Sequence, residues 1–225
     1  MGLKAAVIPV TPFQQNCSLL WDEETRKGAV VDPGGEVDRI MAAVAETGAD
    51  VEHILLTHGH LDHAGGAADL RDALAEGRPE PLPIIGPDER DRFLLEGLAA
   101  QAARFGVAEE VRDVQPDRWL SEGDEVEIGG VPFAVLHCPG HTPGHVVFVS
   151  AGLRFALVGD VLFQGSVGRT DFPYGDGAAL IASIHRKLLP LGDNIAFLCG
   201  HGPGSTFGQE RLSNPFLRGG GGGGS

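Results

Sequence analysis

Residues 55–66 read LLTHGHLDHAGG, with three histidines and an aspartate inside six positions. Histidine is the usual metal ligand and the usual proton shuttle near neutral pH, so such crowding demands a chemical explanation. His58 and His60 are two apart. In an extended segment their imidazoles project to one side and can share a cation at about 2.0–2.1 Å. Asp62 and His63 follow where the chain turns into a helix, and can point at a neighbouring position, so one short loop could serve two metals. Four residues cannot complete two sites, and further donors do occur: HCPGHTPGH at 137–145 offers His141, ALVGD ends in Asp160, and AFLCGH ends in His201. Imidazole and carboxylate in glycine-rich turns at the ends of separate apolar runs suit a borderline cation such as zinc better than they suit a folded core.

The elements that must carry these groups are short apolar runs: AAVIPV, CSLLW, GAVVD, HILLT, LPIIG, VPFAVLH, HVVFVS, RFALVGD and IAFLCG. They are rich in Val and Ile and end in Gly, Pro or Asp, which predicts buried strands. Apolar residues three and four apart predict helices over 37–46, 64–75, 91–105 and 178–188. The order strand, strand, strand, helix, strand, helix, strand is followed by a similar order from about Glu125. Two sheets packed face to face, with helices on both outer faces, account for it. Residues 76–90 hold four prolines and read as a loop around one short strand. Residues 1–218 are expected to form a single domain, with 219–225 (GGGGGGS) an engineered linker or cloning scar.

The chain has 225 residues, 42% of them hydrophobic, enough for a sizeable core. A formal net charge of −14 with no Lys or Arg cluster argues against nucleic acid or an acidic membrane face as partner. No run approaches the length of a membrane span, the first residues lack the apolar core of a signal peptide, and Ala6 stands where a myristoylation signal wants Ser or Thr. A cytoplasmic location is expected. Cys17, Cys138 and Cys199 are too few and too far apart for a disulfide framework and read as reduced, buried small residues.

The pattern T-H-x-H-x-D-H, then G-H-T-x-G-H, then G-D, then a late G-H, resembles the metallo-β-lactamase superfamily over nearly the whole chain. CPGHTPGH and GDVLFQGSVGRTDFP are similar to its glyoxalase II-like, or hydroxyacylglutathione hydrolase-like, group. The resemblance implies an αβ/βα four-layer sandwich with the site at the edge where the loops meet. It puts His58, His60 and His141 on a first metal and Asp62, His63 and His201 on a second, with Asp160 bridging. Asp62 and Asp160 are thereby also the catalytic carboxylates. Two divalent ions are implied, zinc first, although iron and manganese accept the same donors.

The implied reaction is metal-dependent hydrolysis of a small-molecule glutathione thioester by a metal-bridging hydroxide. A departing thiolate is a weak base, so no strong general acid is needed. The rival from another reaction class is a persulfide dioxygenase with one iron at His58, His141 and Asp160. A lactonase or a non-catalytic metal-binding protein ranks below both. The longer glyoxalase II enzymes carry a C-terminal helical domain with basic residues for glutathione. Here GPGSTFGQERLSNPFLR follows His201, leaving Arg211 and Arg218, as in a shorter subgroup.

Taken singly, His141 and His201 would read as hydrogen-bonded structural histidines, and Asp160 as a turn or cap residue. Seven positions in one ordered pattern read as ligands. His145 and His137 are expected to support a ligand or to pack, and not to bind the metal, while His53 and His185 are bystanders. Asp32, in VVDPGG, either orients a ligand histidine or forms a turn. Arg169 either aims its guanidinium at a substrate carboxylate or pairs with Asp171 or Asp176.

Overall fold

The computed structural model describes residues 2–107 and 110–218; the 219–225 tail lies outside them. The first sheet has five strands in sequential order: β1 (Leu3–Val10), β2 (Gln15–Asp22), β3 (Lys27–Val31), β4 (Asp50–Leu55) and β5 (Ile84–Ile85). The β1–β2 and β2–β3 pairs are antiparallel, whereas β3–β4 and β4–β5 are parallel. The second half supplies β6 (Glu125–Ile128), β7 (Val131–His137), β8 (Val146–Ser150) and β9 (Phe155–Leu157). A small ribbon of β10 (Leu162–Phe163) and β11 (Ser166–Val167) follows. Then come β12 (Ala196–Leu198) and β13 (Ser205–Thr206), which complete a six-stranded sheet in the order β13-β12-β9-β8-β7-β6.

Strand alternation sorts the side chains into three apolar layers, because neighbours along a strand face opposite ways. Leu20, Ala29, Val31 and Leu55 of the first sheet meet Phe133, Val135, Phe148 and Leu157 of the second between the sheets. Their neighbours Leu19, Val30 and Ile54 face outward against helices α1 (Val37–Thr47) and α3 (Ala67–Ala75). On the far side, Val147, Val149 and Phe197 pack with Leu180 of α6 (Gly177–Ser183) and Phe207 of α7 (Phe207–Ser213). Helix, sheet, sheet, helix is the four-layer sandwich expected from the sequence.

The differences lie in the helices. The span 64–75 is not continuous: α2 (Leu61–Ala64) ends at Gly65 and Gly66, before α3 begins. At the break the Gly66 N–H turns to the Pro33 carbonyl at 2.9 Å, in the loop after β3, and a side chain on Gly66 would meet that carbonyl. Residues 91–105 likewise divide into α4 (Arg92–Leu95) and α5 (Leu98–Phe105), with a 3₁₀ turn over Glu89–Asp91 ahead of them. The 178–188 span starts at Gly177, capped by the Asp176 side chain, and finishes as a π-helical turn over Ile184–Leu188. The three cysteines are free and buried. Among the described residues no helix is long and apolar enough to cross a membrane.

Candidate metal centre

The seven singled-out residues come from four stretches that leave strand ends. His58 and His60 lie in the turn after β4, while Asp62 and His63 fall on α2 itself and not in the loop ahead of it. His141 follows β7, Asp160 follows β9 and His201 follows β12. The two sheets therefore deliver them to one edge.

The donors converge in two adjoining groups. In one, His60 Nδ1 sits 3.1 Å from His58 Nε2 and 2.9 Å from His141 Nε2. In the other, His201 Nε2 is 3.2 Å from Asp62 Oδ2. Asp160 lies across both, with Oδ1 3.2 Å from His63 Nε2 and Oδ2 3.6 Å from His141 Nε2 and from His201 Nε2.

The outer nitrogen of each of the five rings meets an oxygen. His141 Nδ1 faces the Arg169 carbonyl at 2.7 Å and His201 Nδ1 the Phe13 carbonyl at 3.2 Å. A carbonyl only accepts, so both rings donate outward and turn a lone pair inward. Asp32 takes the Thr57 N–H at 2.7 Å, the Thr57 hydroxyl at 2.6 Å and His63 Nδ1–H at 2.9 Å. Since Thr57 spends its hydroxyl proton on Asp32, its oxygen is left to accept from His58 Nδ1 at 3.1 Å. His60 is held by the Tyr174 hydroxyl, 2.8 Å from Nε2. Such outer oxygens fix tautomer and ring direction, the habit of imidazoles that bind metal.

Electrostatics divides the two groups. Burial lowers the pKa of His58, and that of His60 to about 3; burial also lowers His141, against the pull of Asp160. These three rings are neutral near pH 7, with lone pairs available. Burial opposes charge on His63 as well, but Asp160 and Asp32 outweigh it and hold its pKa well above the ordinary value. His201 is raised in the same way, chiefly by Asp62 and Asp160. Asp160 itself is burdened by burial yet held well below the carboxylate range by His63 and its neighbours. The second group thus calls for positive charge.

The donor set fits divalent cations. Ligand atoms of His58, His60 and His141, and of Asp62, His63 and His201, lie within 4.8 Å of one another in each group. Buried His63 Nε2 and Asp160 Oδ1 have no hydrogen-bond partner, although they face each other across the site. Buried polar atoms are ordinarily paired, so these two are placed for something other than a protein group. Backbone allows it: a Cβ on Gly200 would overlap Asp160 Oδ1 and the His63 ring. A third compact set, Asp32 with His58 and His63, also falls within the 4.8 Å spacing. Both Asp32 oxygens are already taken by Thr57 and His63, so that set is a hydrogen-bond network.

His145 stacks on His58 at 4.6 Å between ring centroids, and its Nε2 accepts the Asp160 N–H at 3.0 Å. His137 instead lies across its own loop, 2.8 Å from the Pro143 carbonyl. Arg169 forks onto Asp171, with two contacts of 2.7 Å, and lies over the Phe172 ring at 4.6 Å. Its guanidinium is exposed and engaged within the chain, whereas its carbonyl orients His141. Arg211 is likewise committed, to Asp193 and the Leu189 carbonyl.

Sequence reasoning singled out neither Tyr174 nor Asp91. Tyr174 stacks with Phe172 at 5.3 Å, and Phe172 packs on His60 at 4.8 Å, so the GRTDFPY stretch walls one side of the histidine group. A cavity of about 500 Å³ opens beside Asp62, lined in part by Thr11, Phe13, Gly35, Glu36 and Arg39.

A helix-covered double sheet with adjoining imidazole and carboxylate groups at one edge defines a metal-dependent hydrolase. The sequence profile of the metallo-beta-lactamase superfamily matches residues 10–201, and the chain belongs to that superfamily. It is 49% identical, over 94% of its length and 96% of the relative's, to a Haemophilus influenzae protein named hydroxyacylglutathione hydrolase GloC. Among solved structures it is similar to the BLEG-1 B3 metallo-beta-lactamase, at 34% identity and a TM-score of 0.85, covering 96% of this chain and 100% of that one. It is also similar to TTHA1623 in a di-iron-bound form, at 39% identity and a TM-score of 0.82, covering 94% of this chain and 100% of that one.

Proposed function

We propose that this hydrolase cleaves thioesters of the S-2-hydroxyacylglutathione type at a two-metal centre, releasing a thiol and a hydroxy acid. His58, His60 and His141 would hold one ion and Asp62, His63 and His201 the other, with Asp160 shared. The observation that carries the reading is Asp160, whose two oxygens face His63 on one side and His141 and His201 on the other. When bound, a pair of divalent ions supplies an activated water near neutral pH and Lewis-acid stabilisation of the tetrahedral oxyanion. Imidazole and carboxylate donors suit zinc, and they suit iron or manganese as well.

The chain's own groups do the rest. Asp62 and Asp160 are held ionised beside raised-pKa imidazoles, so neither is available as a general acid. Expulsion of a thiolate does not require one, whereas an alkoxide would. That asymmetry favours a thioester over a lactone. Phe172 and Tyr174 shield the histidine group on one side, and the cavity beside Asp62 offers room for part of the substrate. The naming of the GloC relative points to the same substrate class. The inter-sheet apolar layer draws on both halves of the sequence, which supports reading residues 1–218 as one domain.

The test is metal content per chain, by mass spectrometry, on the same sample assayed for S-lactoylglutathione cleavage and for oxygen uptake with glutathione persulfide. Two metals per chain with thiol release is expected, and His60→Ala should lose one metal and most turnover. One iron per chain, with oxygen consumed and the thioester untouched, would replace the hydrolase by the dioxygenase.

A further inference from the structure

Asp91 lies outside every motif in the sequence, yet its carboxylate is fully buried at the end of the 3₁₀ turn before α4. It accepts the Gly59 N–H at 3.0 Å, the Thr142 hydroxyl at 2.7 Å and the Gly144 N–H at 2.6 Å. Gly59 stands between His58 and His60, and Thr142 follows His141. One carboxylate therefore ties together the two loops that carry the three-histidine group. Among the described residues, none of these hydrogen bonds reaches Asp62, His63 or His201.

The three partners are neutral donors. A buried anion satisfied only in this way is an expensive means of stabilising a fold, and an apolar residue would cost less. What the arrangement does supply is geometry: short, directed bonds to an ionised acceptor, made from one rigid turn to two separate loops. The backbone is shaped to the same end. A Cβ on Gly144 would lie 2.6 Å from Asp91 N and from the Asp88 carbonyl, and one on Gly59 would lie 2.7 Å from Leu94 Cβ. Both loops are glycine where they seat on the 88–94 segment, so they approach it as closely as main chain allows. The 2.9 Å approach of His60 Nδ1 to His141 Nε2 is made between these two loops.

We propose that Asp91 is a positioning residue for the three-histidine group, setting the spacing of the His58–His60 and His141 loops and so the metal affinity of that group but not of its neighbour. This rests on the two-metal reading above. Replacing outer partners of metal ligands costs about 10–100-fold in affinity. Asp91→Asn keeps the shape but replaces one of the two accepting oxygens by an amide N–H that meets a donor.

Zinc affinity is measured by competition with a chromophoric chelator in the full chain carrying single-site backgrounds. With His201→Ala, where only the three-histidine group is complete, Asp91→Asn should weaken zinc by about 10–100-fold. With His60→Ala, where only the other group remains, it should leave zinc affinity within about 3-fold. Unchanged affinity in the first background, or equal losses in both, overturns the proposal. If Asp91→Asn does not fold, Thr142→Val removes one of the three donors and should weaken the same group alone; no change there also overturns it. A parent chain that takes up one zinc and not two would instead refute the two-metal reading, before any Asp91 variant is compared.

Discussion

Asp91 also has a consequence for stability that can be worked out from its burial. Desolvation raises its pKa to about 6, against the pull of the hydrogen bonds from Thr142, Gly144 and Gly59 and with a small push from Asp88. An aspartate in an unfolded chain titrates at about 3.9, so the folded state binds this proton about 100-fold more tightly. The sign follows from linkage. Above pH 6 the native chain carries a desolvated anion and Asp91 contributes least; stability is gained as pH falls through 6 and levels off below the unfolded value. At ~1.36 kcal/mol per unit the full gain is about 2.5 to 3 kcal/mol, of which about 1.3 kcal/mol falls between pH 7 and pH 5. The assay is urea denaturation of chelator-treated wild type and Asp91→Asn at pH 7, 6 and 5. Groups common to both chains cancel in the difference. The wild type should gain on the variant by about 1.3 kcal/mol from pH 7 to 5. A flat difference, or a gain with rising pH, would show that the hydrogen bonds outweigh burial and that Asp91 is an ordinary low-pKa carboxylate.

Two further perturbations test the rest of the centre. Gly200→Ala places a methyl on Asp160 Oδ1 and the His63 ring, so it should lower metal content in the carboxylate group and cut turnover at least about 10-fold, read by metal analysis and thiol release. Asp32→Ala removes the acceptor of the Thr57 N–H, the Thr57 hydroxyl and His63 Nδ1–H. It should destabilise the chain by about 2–4 kcal/mol in chemical denaturation and weaken metal binding, and a loss under about 1 kcal/mol would mean that water replaces the carboxylate.

The architecture was legible because burial writes itself into strands as alternation and into helices as three-and-four spacing. Val30 facing the helices between Ala29 and Val31 facing the other sheet is that code in three residues. What composition could not show was where a helix stops. The helical spacing read over 64–75 runs across Gly65–Gly66, and there the Gly66 N–H goes instead to the carbonyl of Pro33, a residue far back in the chain. The same limit applies to Arg169. Its type and place fitted a substrate carboxylate as well as an ion pair, and the fork to Asp171 two residues on depends on a turn that the residue types do not specify.

The centre was legible to a different depth. The seven donors sit in local motifs, each histidine or aspartate beside a glycine or a second donor, so their chemistry can be read from spacing. The groups that aim them are scattered. Thr57 is a neighbour, but Asp32, Phe13, Arg169 and Tyr174 reach their rings across 31, 188, 28 and 114 positions. Two of those four act through a backbone carbonyl, which no side-chain pattern can reveal. Asp91, 32 and 51 positions from Gly59 and Thr142, is one acid among several in a charged stretch. Its meaning comes wholly from three neutral donors that the fold brings to it. A donor must match the chemistry of the ion, and few residue types do; an aiming group need only be an oxygen in the right place. The fold can draw that oxygen from almost any residue, so local sequence constrains the donors far more tightly than the groups that orient them.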